Sequence, residues 1–369
     1  MKRLIICADG TWNFRDQQDE DTQLRHATNV TKLARAILPR DSRNIDQVVI
    51  YHDGVGTHDG LDRLVGGATG EGLEANIRDL YRSIAYNYVE GDQLFLFGFS
   101  RGAFTVRTLA GFMHHFGLVQ KCDDFFVPDL FKEYRQRRDL QAVRLDPHFK
   151  SLHEVRPSAP ITFIGVWDTV GALGAPGILG DLLNGNRFTY HDIELNSNVL
   201  NAYHALAVDE RRIPFKPSLW IRPDSWTGNL EQTWFPGVHG NVGGGYSPDG
   251  LANEALHWLI EKAQAFGLEV DAEYLAHFRP CFNSSLNDSM TLIYRALGTM
   301  ERSIGEHREH GEQIHKSVID RMNLTECNYV PPNITCVMNG PRPLPIVDTK
   351  RIARGVAVPL ATEPPTPLR

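Results

Sequence analysis

The stretch that most constrains this chain is Asp92-Gln-Leu-Phe-Leu-Phe-Gly-Phe-Ser-Arg-Gly-Ala-Phe104. Residues 94–97 form a short, continuously apolar run, the pattern of a strand buried on both faces. Gly98-Phe99-Ser100-Arg101-Gly102 follows at once and fits G-x-S-x-G. Residues 103–119 then read as a helix. Strand, glycine turn and helix in that order are the context in which this motif lifts a serine hydroxyl above a sheet edge. Gly98 and Gly102 leave room for strand and helix to approach. The Arg101 N–H is expected to point into the space where an oxyanion beside Ser100 would develop.

The flanking text continues the alternation. Residues 2–8 read as a buried strand, 30–38 as a helix stopped by Pro39, 47–51 as a strand and 71–89 as a helix with apolar residues at helical spacing. Residues 58–70 read as a flexible glycine-rich loop. Residues 123–160 are charged and helical, an insertion over the core. A buried strand at 161–166 follows, then a helix at 196–208, strands at 219–222 and 233–238, and a helix at 253–266. Residues 270–335 read as mixed and mainly helical.

This pattern predicts an α/β fold of the α/β-hydrolase type: a mostly parallel central sheet flanked by helices, with helical insertions as a lid. One domain is expected over residues 1–345, with lid candidates at 123–160 and 270–335. Residues 346–369 are expected to form a Pro-rich, mobile tail.

Composition narrows the function. The 369 residues are 42% hydrophobic and 22% charged, with a formal net charge of −7. No basic footprint for nucleic acid is present. The five cysteines are dispersed and include no C-x-x-C, which argues against a zinc site or a disulfide framework. Cys7 reads as a small core residue. The apolar run behind Met1-Lys2-Arg3 is too short for a secretory signal, and no run is long enough to span a membrane. Cytoplasmic synthesis is the expectation.

Polar, glycine-rich loops fall at predicted strand ends at Asp9, Asp53, Ser100, Asp168 and His239, the edge where open parallel sheets place their ligands. A serine needs a base, and a histidine base needs an orienting carboxylate. His239 follows an apolar strand and precedes Gly243-Gly244-Gly245, and the chain order Ser, Asp, His is that of this architecture. Asp168 ends a strand and is the preferred acid. Asp209 is the alternative, although the neighbouring Glu210, Arg211 and Arg212 suggest a structural ion pair for it. The second oxyanion donor is expected from Gly10 or Thr11 after the first strand. Asp9 must then point away and fix its loop, with Arg101 as the expected basic partner. His114 and His115 should pack behind the elbow. His307, His310 and His315 lack a strand-end address, so no metal is expected, nor any organic cofactor.

Asp9-Gly-Thr-Trp-Asn13, Gly98-Phe-Ser-Arg-Gly-Ala103, Gly165-Val-Trp-Asp-Thr-Val170, Ala205-Leu-Ala-Val-Asp-Glu-Arg211 and Pro236-Gly-Val-His-Gly-Asn-Val-Gly-Gly-Gly-Tyr246 together resemble the DUF2235 family. That family includes the Tle1-type phospholipase effectors of bacterial type VI secretion. The resemblance implies a serine lipase or esterase with Ser100, Asp168 and His239 as its triad. It also implies a lipid-ester substrate, peripheral membrane contact and possible delivery by type VI secretion. The larger anchoring or delivery modules of some relatives are expected to be absent. A small soluble ester is the alternative substrate. A non-catalytic hydrolase-fold binding protein is an alternative class, and so is a phosphate-ester hydrolase using the loops at 53–57 and 240–245. Oligomeric state is not legible.

Overall fold

The computed structural model describes residues 1–10, 26–54, 70–170 and 193–349. The first half alternates strand and helix: β1 (Arg3–Ala8), α1 (Asn29–Ala36), β2 (Gln47–His52), α2 (Gly70–Asn87), β3 (Gln93–Phe99) and α3 (Arg101–Phe116). After a 3-10 turn at Lys121–Phe126 come α4 (Val127–Arg135), α5 (Leu140–Arg144) and β4 (Ile161–Trp167). The second half continues with β5 (Asn201–Ala207), β6 (Asn229–Phe235), α6 (His239–Gly243), α7 (Gly250–Gln264) and α8 (Ala272–Leu275). It closes with α9 (Leu292–Ala296), β7 (Glu312–His315), α10 (Lys316–Asn323), α11 (Pro332–Met338) and β8 (Ile346–Val347).

The eight strands make one sheet in the order β2-β1-β3-β4-β5-β6-β7-β8. Every pair is parallel, so all the strands end at the same edge. β1, paired with β2 on one side and β3 on the other, is buried along its whole length, as its continuous apolar run requires. One face of the sheet packs against α2 and α3 through Ile77, Leu80, Leu96, Val106 and Leu109. The opposite face packs against α1 and α7 through Leu33, Phe95, Phe97, Leu256 and Leu259. A smaller cluster around Trp234, Ile314, Val318 and Ile334 closes the far side.

Several expectations are corrected. Residues 196–208 are not a helix: Asn201–Ala207 is β5, buried at all seven positions and hydrogen-bonded to β4 and β6. The alanine- and leucine-rich text favours helix by propensity, but pairing on both sides overrides that preference. Residues 219–222 form no strand. Trp220 instead bonds the Gln232 side chain through both its N–H and its carbonyl. β6 begins and ends earlier than expected. His315 closes a strand, β7, and caps α10.

The 121–149 segment is part of the helical layer. Phe131 and Tyr134 pack on Phe112, about 17 Å along α3 from Arg101 at 1.5 Å per residue. That contact is remote from Ser100. Of the two histidines behind the elbow, His115 packs on Phe116 and Tyr134, while His114 is exposed. The sheet also runs past the expected boundary at 345, since Ile346 and Val347 pair with β7. The expected flexible loop at 58–70 falls almost wholly outside the described residues, as does most of the expected tail.

Candidate active site

The elbow between β3 and α3 puts Ser100 at φ 57°, ψ −120°. A non-glycine residue at positive φ is strained and persists only where the surroundings enforce it. Two close approaches enforce it here. A Cβ on Gly98 would lie 2.5 Å from the Gly102 carbonyl oxygen, and one on Gly102 would lie 2.1 Å from the Ala8 carbonyl oxygen. Glycine alone lets β3, α3 and the end of β1 meet this closely. The Ser100 N–H donates to the Trp167 carbonyl at 3.0 Å, which ties the elbow to the end of β4 one residue before Asp168.

Asp168 is fully buried and also lies at positive φ, 38°. Its Oδ2 accepts from His239 Nδ1 at 2.6 Å. Its Oδ1 accepts the Ala207 N–H at 3.0 Å. His239 begins α6 after the turn Pro236–Val238, and its ring is held between Phe99 and Phe215, with centroids 4.6 Å and 4.9 Å away. The bond at Nδ1 leaves Nε2 as the nitrogen available to a neighbouring hydroxyl. Burial pushes His239 below its ordinary value, against the pull of Asp168 and Glu210. The imidazole therefore rests neutral near pH 7, the state a general base requires.

Contacts made by Arg302, Glu210 and Asp209 complete the surroundings of this pair. Arg302 donates to both oxygens of Asp168, at 2.5 Å and 2.9 Å. Burial alone would raise the Asp168 carboxyl, but Arg302 and the His239 bond outweigh it and hold the group well below the usual carboxylate range. Glu210 Oε2 accepts the His239 backbone N–H at 3.2 Å and pairs with Arg212 at 2.8 Å. The ion pair expected near Asp209 thus belongs to its neighbour. Asp209 itself accepts the Gly237 N–H at 2.7 Å and the Tyr329 hydroxyl at 2.8 Å. It braces the turn before His239, while Asp168 is the carboxylate at the imidazole.

At the end of β1, Asp9 is buried and faces three hydroxyls: Thr28 at 2.6 Å, Thr31 at 3.0 Å and Tyr51 at 2.6 Å. These, rather than the expected Arg101, are its side-chain partners. Burial raises the Asp9 carboxyl despite them. The Gly10 N–H, a candidate oxyanion donor, is turned onto Asp9 Oδ1 at 2.7 Å, and Thr11 lies outside the described residues. Arg101 opens α3, where backbone N–H groups face outward from the helix end. Burial brings its guanidinium down to about 10.

Two clusters bring metal-type donors within 4.8 Å of one another: Cys122, Asp123 and His153, and His307, Glu309 and His310. The first follows the far end of α3 and the second precedes β7. Both therefore lie at the edge of the sheet opposite Ser100.

Residues 2–262 match the family described as T6SS, phospholipase effector Tle1-like, catalytic domain. The chain belongs to this Tle1-like family. The uncharacterized protein YEL023C of Saccharomyces cerevisiae is 29% identical over 237 residues, which cover 58% of this chain and 32% of the yeast protein. Two solved structures are similar. An uncharacterized protein from Pseudomonas aeruginosa is 16% identical with a TM-score of 0.43, covering 80% of this chain and 48% of that one. The Tle1 effector bound to the VgrG spike from the type 6 secretion system is 19% identical with a TM-score of 0.38, covering 67% and 51%. The chain thus spans about a third of the yeast relative and about half of each solved chain.

Proposed function

We propose that this chain is a serine esterase acting on lipid esters of the phospholipid class, through an acyl-serine intermediate. The observation that carries the reading is the buried His239–Asp168 pair, 2.6 Å apart, at the same strand-end edge as the strained elbow of Ser100. His239 Nε2 takes the proton from Ser100 as its oxygen attacks the ester carbonyl. Asp168 holds the imidazole in the correct tautomer and offsets the charge it gains. The Arg101 N–H stabilises the oxyanion; the Gly10 N–H serves Asp9 Oδ1 and is not counted as the second donor. His239 then protonates the leaving alcohol, and a water activated by the same histidine releases the acid.

The lipid class is supported by the family's description as phospholipase effectors. A cavity of about 460 Å³ beyond Val238 has a mixed lining, with Leu286, Met290 and Val330 beside Asp209, Arg211 and Asp288, and none of Ser100, Asp168 and His239 lines it. Residues 286–297 flank the histidine side, with Tyr294 packed on Phe215, so this part of the 270–335 region is the lid candidate. Among the described residues no helix is long and apolar enough to cross a membrane. Delivery by type VI secretion is carried over from the family description as part of the same reading.

The test is labelling with a fluorophosphonate probe together with fatty-acid release from phosphatidylcholine vesicles. The wild type should label and hydrolyse, and Ser100→Ala should do neither. Hydrolysis surviving in Ser100→Ala would remove the elbow from the mechanism. A folded wild type inert toward both, with detergent present, would favour a binding protein.

A further inference from the structure

We propose that Arg302 is a positioning residue of this site, which fixes the carboxylate of Asp168 toward His239 and sets the charge of that pair. The inference rests on the serine-esterase reading. Arg302 lies in the segment before β7, 134 residues after Asp168. Its side chain and that of Asp168 are both fully buried.

Its two terminal nitrogens reach four acceptors. They donate to Oδ1 and Oδ2 of Asp168 at 2.5 Å and 2.9 Å, to the Ala207 carbonyl at 2.8 Å and to the Phe215 carbonyl at 2.8 Å. The paired bonds fix the plane of the carboxylate, which single contacts would leave free to rotate. The Ala207 contact anchors that pair to the end of β5. The Phe215 contact places the ring that packs against His239. The carboxylate on Nδ1 and the ring against the imidazole therefore hang on one guanidinium. Neutralising a buried aspartate needs only a charge. This arrangement uses the planar fork, which lysine does not have.

The charge matters as well. Around His239 stand Asp168 with Arg302, Glu210 with Arg212, and the phenols of Tyr246 and Tyr294. Glu210 and Arg212 act on His239 from the end of β5, both phenols lie close to Arg212, and Arg101 opens α3 near Tyr294. Both carboxylates are paired with an arginine. Each carboxylate that pulls on the imidazolium thus carries an arginine that offsets part of that pull. Removing Arg302 leaves Asp168 unopposed, which favours the imidazolium and moves the loss of base catalysis to higher pH.

The experiment is the second-order rate of fluorophosphonate labelling from pH 4 to 9, with thermal unfolding in parallel. It compares wild type, Ser100→Ala, His239→Ala, Arg302→Lys and Arg302→Met. Arg302→Met should label roughly 100-fold more slowly, the scale of a misplaced catalytic group, with its acid limb moved up by about one pH unit. Arg302→Lys keeps the charge and loses the fork. It should be slowed at least tenfold while its acid limb stays within about 0.3 unit of wild type. Should Arg302→Met fail to fold, the lysine variant decides alone: a wild-type rate in it would overturn the inference. An unmoved acid limb together with a wild-type rate per folded molecule in Arg302→Met would do the same. Labelling that ignores Ser100 or His239 would instead sink the esterase reading, so the two failures are distinguishable.

Discussion

Gly102 and Ala8 touch backbone to backbone: a Cβ on Gly102 would come within 2.1 Å of the Ala8 carbonyl oxygen. Nothing flexible lies in that gap, so a methyl group there must push α3 away from the end of β1. Overpacking of this kind costs about 1–3 kcal/mol. The same shift would relax the Ser100 elbow and separate the Arg101 N–H from the β1 loop. Gly102→Ala is therefore expected to lower the unfolding temperature by several degrees and to slow labelling of Ser100 by more than the loss of folded protein explains. A variant that labels at the wild-type rate would mean that the elbow does not depend on this approach.

The two aspartates separate by what each accepts. Asp168 takes His239, Ala207 and two nitrogens of Arg302. Asp209 takes a backbone N–H and a tyrosine hydroxyl. Asp168→Asn would leave Arg302 buried without its counter-charge and would present an amide to the imidazole. The expected result is a rate loss of roughly 10⁴-fold and a stability loss of about 3–5 kcal/mol, as for a buried pair broken on one side. Asp209→Asn keeps a carbonyl acceptor for either donor and should cost less than tenfold in rate. Stopped-flow labelling and denaturant melts of both variants check this, and a reversed order would make Asp209 the acid.

Most of the fold was legible because parallel strands buried on both faces write continuous apolar runs. Leu4–Ala8, Leu94–Phe97 and Ile161–Val166 do so, and each is followed by a polar loop. β5 was not legible: an Ala- and Leu-containing run of seven fits a buried helix as well as a buried strand, and only the neighbours β4 and β6 decide between them. Around the candidate site, the strand-end places of Ser100, Asp168 and His239 were legible, and the 2.6 Å contact between Asp168 and His239 is what the structure adds. Arg302 was not, because its role depends on distance in space and its own segment, Met300-Glu-Arg-Ser303, has no periodicity or motif. Glu210 was misjudged through its neighbour. Two adjacent carboxylates after one strand point in different directions, and the sequence does not say which one meets the arginine.

Acid should destabilise the protein through histidines that are buried neutral. Burial, assisted by the guanidinium of Arg107, brings His204 down to about 3 from an ordinary 6.5, while its Nε2 accepts the Thr169 N–H. The folded state then binds fewer protons than the unfolded one between these values. A group depressed on folding contributes stability that is present above the unfolded value and lost as pH falls toward the folded one. Each such proton contributes a slope of about 1.4 kcal/mol per pH unit. Melts between pH 7 and 4 should show stability falling with pH, and His204→Gln, whose amide still accepts from Thr169, should flatten the curve by about one proton. An unchanged slope in that variant would place the acid sensitivity elsewhere.

The lipid reading makes its sharpest demand at α9. Leu292 is 87% exposed on this short helix, and Ile213 and Leu297 nearby are also exposed. Tyr294 of the same helix joins it to Phe215 and so to His239. If substrate arrives from a lipid surface, these side chains enter it. Burying a leucine is worth about 1.5–3 kcal/mol, which is roughly tenfold or more in partitioning. Leu292→Asp is therefore expected to cut hydrolysis of phosphatidylcholine vesicles about tenfold or more while leaving a short-chain, water-soluble ester within twofold of wild type. Leu292 lies outside the Ser100, Asp168 and His239 set, so the soluble ester reports an intact site. Equal loss on both substrates would mean that the helix shapes the pocket and does not meet lipid. No loss on either would favour a small soluble ester, since such a substrate gives an exposed leucine at the mouth nothing to enter.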